Sequence, residues 1–132
     1  MKKTFLVLSV LLIALFPSCK PNNIDPNNPL IGTWVYKGYE QINTEYVAVY
    51  SRKPNFDDDN SGISFRGFSK LVERKSVGWC GTPPISYGQY NGSYTLKDKL
   101  ITTESDGWNG KKTSRYEIIS IDNNLLKIKQ LK

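Results

Sequence analysis

The sequence predicts an all-β fold, an eight-stranded antiparallel up-and-down β-barrel, and three observations carry that prediction. No stretch after Leu30 repeats apolar residues at three- and four-residue spacing for the length of a helix. Alternating, β-prone segments recur instead, about one every ten residues. Clusters of Gly, Asn and Asp with the chemistry of tight turns separate them.

The strands expected, in order, are Ile31–Gln41, Glu45–Arg52, Gly62–Phe65, Lys70–Val77, Tyr87–Leu96, Lys99–Glu104, Lys112–Ile121 and Leu125–Leu131. Between the second and third lies FDDDNSGI (Phe56 to Ile63), read as an acidic hairpin loop. Between the fourth and fifth lies VGWCGTPPISYG (Val77 to Gly88). Pro83 and Pro84 cannot donate to a ladder, so pairing must stop there and the chain cross an end of the barrel. Lys97-Asp98 makes a short loop after the fifth strand, Asp106-Gly107 and Asn109-Gly110 turn the chain after the sixth, and Asp122-Asn123-Asn124 joins the last two. Parity assigns faces. Tyr90, Gly92, Tyr94 and Leu96 share one side of the fifth strand, and Leu126 and Ile128 oppose Lys127 and Lys129 in the last. Eight such strands close on themselves and remove the exposed edges of an open sheet.

The first residues do not belong to this pattern. Lys2 and Lys3 precede FLVLSVLLIALF (Phe5 to Phe16), a charge-free and mostly apolar run that is too short to span a bilayer as a helix. Residues 1–18 are therefore expected to be a signal peptide for export. The stretch ALFPSCK places Cys19 directly after a small residue, and it resembles the lipobox of bacterial lipoproteins, which implies lipidation of Cys19. Residues 19–29 follow, rich in Pro and Asn, and read as a flexible tether. Residues 30–132 form the domain. The expected location is the cell envelope, at the periplasmic face of the outer membrane.

The chain carries 18 basic and 12 acidic residues, a net charge of +6. Without Lys2 and Lys3 the balance is 16 against 12, or +4, and scattered. No basic stripe or recognition motif for nucleic acid is present.

Further resemblance lies in the folded part. LIGTWVY (Leu30 to Tyr36) carries Gly32-x-Trp34 at the head of the first strand, and NGSYTLKDKLI (Asn91 to Ile101) feeds YEIISIDNNLLKIK (Tyr116 to Lys129). Together with the eight-strand meander, residues 30–132 resemble the lipocalin-like domains of small Gram-negative lipoproteins. VGWCGTPPISYG is similar to a segment that recurs in such lipoproteins. The resemblance implies a barrel plugged at one end by Trp34, a basic side chain over that ring from Arg115, Lys127 or Lys129, and a small apolar or amphipathic ligand.

Chemistry is sparse. The chain has no histidine, which removes His-based triads, Cys–His dyads and most zinc sites. With Cys19 lipidated, Cys80 has no cysteine partner in the chain and is read as a small packed residue. Asp57, Asp59, Ser61 and Gly62 resemble the opening of a calcium loop of the EF-hand kind, but its twelfth position, which needs glutamate, is Phe68. No metal or other cofactor is expected. Glu104 and Asp106 border a Gly-rich turn and are read as a charged rim rather than an acid/base pair. No enzyme signal is present.

Aromatic residues remain. Tyr36, Tyr46, Tyr50, Tyr90 and Tyr94 lie on strands and are the candidate ligand lining. Trp79 and Trp108 lie in loops and are candidate rim residues. Two functions stay open: non-catalytic ligand binding inside the barrel, or a solid barrel that contacts a protein or glycan through its loop rim.

Overall fold

The computed structural model describes residues 27–78, 84–107 and 109–132. Eight strands form, with no helix among the described residues: β1 (Gly32–Ile42), β2 (Glu45–Lys53), β3 (Gly62–Arg66), β4 (Lys70–Val77), β5 (Ser86–Lys97), β6 (Leu100–Ser105), β7 (Lys112–Ile121) and β8 (Leu125–Leu131). All pairings are antiparallel, and the single sheet closes into a ring. The expected strands fall within a residue or so of those observed.

Their order around the ring is not up-and-down. β1 sits between β2 and β3, and β2 closes the ring against β8 through Ala48↔Ile128 and Tyr50↔Leu126. FDDDNSGI is therefore part of a crossover rather than a hairpin loop. Residues 54–61 pass over β1, and eight residues reach easily across two strand spacings of about 4.8 Å. Arg74 fastens this crossover to the sheet, donating from Nε to Asn60 O (3.2 Å) and from Nη2 to Asp58 O (2.8 Å). Phe56 lies against Gly62, where an added Cβ would meet its ring at 2.9 Å. Val35, paired with Gly62 on the same outward face, is consequently buried outside the core. β4 and β5, by contrast, are neighbours that pair as far as Val77↔Ser86, and Pro83, where the chain was expected to cross an end of the barrel, lies outside the described residues.

Two bulges adjust the faces. Tyr36 opposes Tyr50 and Tyr39 opposes Ala48, so the extra residue near Lys37 puts two tyrosines three apart on one face, Tyr36 half-buried and Tyr39 exposed at the far end. On β7 a shift between Ile118 and Ser120 does the same for Ile118 and Ile121.

The core gathers at the end of the ring where β1 begins, here the entry end. Trp34, Phe65, Leu71, Ile101, Leu126 and Ile128 are fully buried there, with Tyr94 edge-on to Phe65 at 5.0 Å between centroids. Trp34 donates its indole N–H to Leu30 O at 2.8 Å. The basic side chain over its ring is Arg52, not Arg115, Lys127 or Lys129. The guanidinium carbon stands 4.1 Å from the ring centroid. Arg52 and Trp34 are register partners on adjacent strands, whereas β8 is not paired with β1. The guanidinium also donates to Ile31 O (2.6 Å), Pro29 O (2.5 Å) and Asn123 O (2.8 Å). Gly32 makes this possible. Its φ of +143° disfavours a side chain, and a Cβ there would collide with Arg52 Nη1.

Candidate functional site

The far half of the ring interior has a different lining. On β4 the inward positions are Leu71, Glu73 and Lys75, because Leu71 opposes Phe65 and Glu73 opposes Ile63. A carboxylate thus enters an otherwise apolar interior, and Glu73 is only 4% exposed. Burial of an unpaired charge is costly, and this one has partners. Lys75 forms an ion pair with it, and Ser105 donates to Glu73 Oε2 at 2.5 Å. Lys75 Nζ also lies 2.9 Å from Ser105 Oγ, which closes the triangle. Gly92 admits Ser105 to this position: an added Cβ would collide with the carbonyl of Glu104 and with Ser105 itself.

Aromatic hydroxyls surround this group. Tyr36 stacks edge-on with Tyr39 and with Tyr50, at 5.5 and 5.6 Å between centroids. Burial raises the Tyr50 phenol well above its ordinary value of 10, and neighbouring Tyr116, Tyr39, Glu73 and Tyr36 raise it further. Tyr116 is raised for the same leading reason, against a hydrogen bond from Ser114 that lowers it, with Glu73 and Tyr39 adding to the rise. These charges act on one another, so Glu73 and the tyrosines share one environment. The phenols are neutral there over the physiological range.

The raised values set the sign of an alkaline effect. A group whose folded value lies above its unfolded one contributes stability that is complete below pH 10 and is lost as the pH rises through the folded value. The fold is expected to weaken above pH 10, with Tyr50→Phe and Tyr116→Phe variants keeping more of their stability there. Circular dichroism and phenolate absorbance across an alkaline titration check this; equal loss in the variants would exclude these two tyrosines as the cause.

One more polar group faces inward. Thr103 opposes Tyr94 of the core and is 1% exposed, and its hydroxyl has no hydrogen-bond partner among the described residues. A buried hydroxyl without a partner carries a desolvation cost of about 1–3 kcal/mol.

Of the residues expected to line a ligand site, Tyr36 and Tyr50 belong to this group. Tyr90 opposes Glu73, and its ring lies 6.0 Å from Lys75 Nζ. Tyr94 belongs to the core instead, donating to Arg66 O at 3.2 Å. Tyr46 is 69% exposed at the far end, near the β1–β2 turn. Cys19, Trp79, Cys80 and Trp108 lie outside the described residues. Glu104 pairs with Lys111 at 2.8 Å on the surface, well apart in role from an acid/base dyad. Sequence reasoning missed Glu73, Lys75, Thr103, Ser105, Tyr39 and Tyr116. The available signal was KLVERKSV, where Leu71, Glu73 and Lys75 share one parity with the apolar residue first.

A cleft of about 730 Å³ lies at the entry end, outside this interior, lined by Thr33, Arg52, Lys53, Asn55, Ser64 and Arg66 among others. No family model, curated protein or solved structure matches the chain.

Proposed function

We propose that the chain is a lipid-anchored envelope protein with a lipocalin-like ring that binds a small amphipathic ligand without catalysis. The observation that carries this reading is the buried carboxylate of Glu73, held by Ser105 and Lys75 beside inward tyrosines. A charged group kept inside the ring is a cost to the fold, and a ligand's polar end gives it a use. The tyrosines around it supply apolar faces with hydroxyl edges, the mixture that fixes an amphipathic molecule in one orientation. The apolar entry half is filled, so the ligand sits towards the far end.

Two features support the lipocalin-like reading: Gly32-x-Trp34 at the head of β1, and a basic side chain laid over the tryptophan. The position of β1 between β2 and β3 sets this ring apart from a plain meander. Cys19 is the lipid attachment, with the domain at the periplasmic face of the outer membrane.

Native mass spectrometry of gently extracted protein tests the ligand. A retained small molecule is expected in the wild type and is lost in Glu73→Leu with Lys75→Met, a double variant expected to stay within about 1 kcal/mol of the wild type in stability. Repeated absence of any retained molecule from the wild type would reject the reading. Labelled palmitate that still attaches to Cys19→Ser would reject the anchor.

A second reading has its own observation. Tyr39, Tyr46, Val77 and Ile85 are exposed at the far end, which suits contact with a protein or glycan through the rim. A filled interior with no retained molecule, together with loss of partner capture in Tyr46→Ser, would favour it.

A further inference from the structure

The turn between β3 and β4 breaks two rules at once. Phe68 is 99% exposed, the most exposed of the large apolar side chains among the described residues. It also sits at φ 58°, and Ser69 follows at φ 58°. The N–H of Lys70 returns to Gly67 O at 3.4 Å, so Phe68 and Ser69 are the two central residues of a hairpin turn with both φ values positive. Such turns favour Asn-Gly, because a side chain in the left-handed region is strained. A phenylalanine is among the worse choices for the backbone here and gains nothing from burial within the fold.

Its surroundings are basic. Antiparallel closure places the β3–β4, β5–β6 and β7–β8 turns together at the entry end, with the exit of β2. That end carries Lys53, Arg66, Lys70, Lys97 and Lys99, all exposed, against Asp98 and Asp122. Among the described residues none of the five cations forms an ion pair, whereas Lys75, Lys111, Lys127 and Lys129 are all paired. The cleft beside Arg52, Lys53 and Arg66 opens at the same end and has room for a phosphate headgroup. Leu96 and Leu125, at the entry ends of β5 and β8, are exposed as well.

We propose that the entry end is a docking surface for an anionic phospholipid bilayer, with Phe68 inserted among the acyl chains and the five cations on the headgroups. Each exposed basic residue near an anionic leaflet strengthens partition by about fivefold, and an aromatic ring at the interface adds an apolar anchor. The chain also enters the ring here. Asn28 and Pro29 are held by the backbone of Ile31 and by Arg52. A lipid on Cys19 would lie eight residues before Asn27, no more than about 28 Å of extended chain. The surface goes beyond the proposed function: its evidence is Phe68 and the cations, with or without a lipid on Cys19.

The test compares the two ends of one chain. Phe68→Trp and Tyr46→Trp each add a tryptophan at an exposed site, one per end. The full chain is bound to vesicles of brominated phosphatidylglycerol, and quenching of the added fluorescence is read against the parent. Quenching at position 68 is expected to exceed that at position 46 at least threefold, and Arg66→Glu with Lys70→Glu is expected to abolish the difference. Equal quenching at both ends would overturn the proposal, as would equal quenching at position 68 in brominated phosphatidylcholine. Concentration-dependent shielding of position 68 without vesicles would overturn it too, in favour of a second copy of the chain. Because both variants share one N-terminus, lipidation of Cys19 does not decide the outcome. A second variant excludes misfolding: Phe68→Asn with Ser69→Gly suits the turn, so its Tm is expected to rise while its vesicle-bound fraction falls several-fold. Unchanged vesicle binding in that variant would overturn the role of Phe68.

Discussion

Arg52→Ala is expected to lower the unfolding free energy by about 3 kcal/mol, from the lost cation–π contact and the charged hydrogen bonds together. Three separate pieces of chain meet on this one side chain: the segment before β1 at Pro29 and Ile31, the indole of Trp34, and Asn123 in the β7–β8 turn. Arg52→Lys keeps the charge but not the planar fork, so a loss of about 2 kcal/mol is expected. Arg115→Ala, Lys127→Ala and Lys129→Ala are expected to cost under about 1 kcal/mol each, because exposed side chains and surface ion pairs contribute little. Urea unfolding followed by tryptophan fluorescence measures all five. Similar losses for Arg52→Ala and the three comparison variants would remove Arg52 from its place as the clamp of the entry end.

Lys75→Met is expected to cost about 3 kcal/mol, the low end of the range for breaking a buried ion pair, since the Lys75 side chain is partly exposed. Glu73 would then remain buried with Ser105 as its one hydrogen-bonding partner among the described residues. Glu73→Leu with Lys75→Met removes both charges, and that double variant is expected to return to within about 1 kcal/mol of the wild type. The comparison has functional content. If an apolar pair serves the fold as well as the ionic one, stability is no reason for a carboxylate inside the ring, which would support the proposed recognition of a ligand. Denaturation of the two single variants and the double variant completes the cycle. A double variant as unstable as Lys75→Met would make the pair a structural element alone.

Most of the fold was legible in the sequence because period-two alternation and turn residues are local. β4, β7 and β8 match expectation at both ends, and the other strands differ by about a residue. Parity also placed Tyr94, Leu126 and Ile128 on the core face, where they lie. Closure order was not legible. FDDDNSGI has the composition of any exposed loop, and nothing local says whether such a loop returns to its neighbour or steps over a strand. The side chain over Trp34 was sought by resemblance at Arg115, Lys127 or Lys129, whereas it comes from Arg52, the register partner of Trp34 on β2. The candidate site was half legible. Aromatic residues on strands announce themselves, and Tyr36 and Tyr50 were found that way. Glu73 was not, because a charged residue within a strand ordinarily marks the solvent face, and its inward position depends on its register with Ile63. Tyr39 needed the bulge near Lys37, which no single strand's alternation reveals.

The seam between β2 and β8 also sets the order of events when the chain folds. Ala48 and Ile128 are eighty residues apart, whereas the next longest strand pairing, Gly32 with Phe65, spans thirty-three. Every other strand pairing can form as soon as its own short stretch has been made, and loop closure of that length is slow in comparison. The sheet is therefore an open, curved ribbon for most of its history, with β2 and β8 as bare edges. It becomes a ring at the last step, when the C-terminal strand arrives. A chain stopped before Leu125 would retain most of its local pairings and never close.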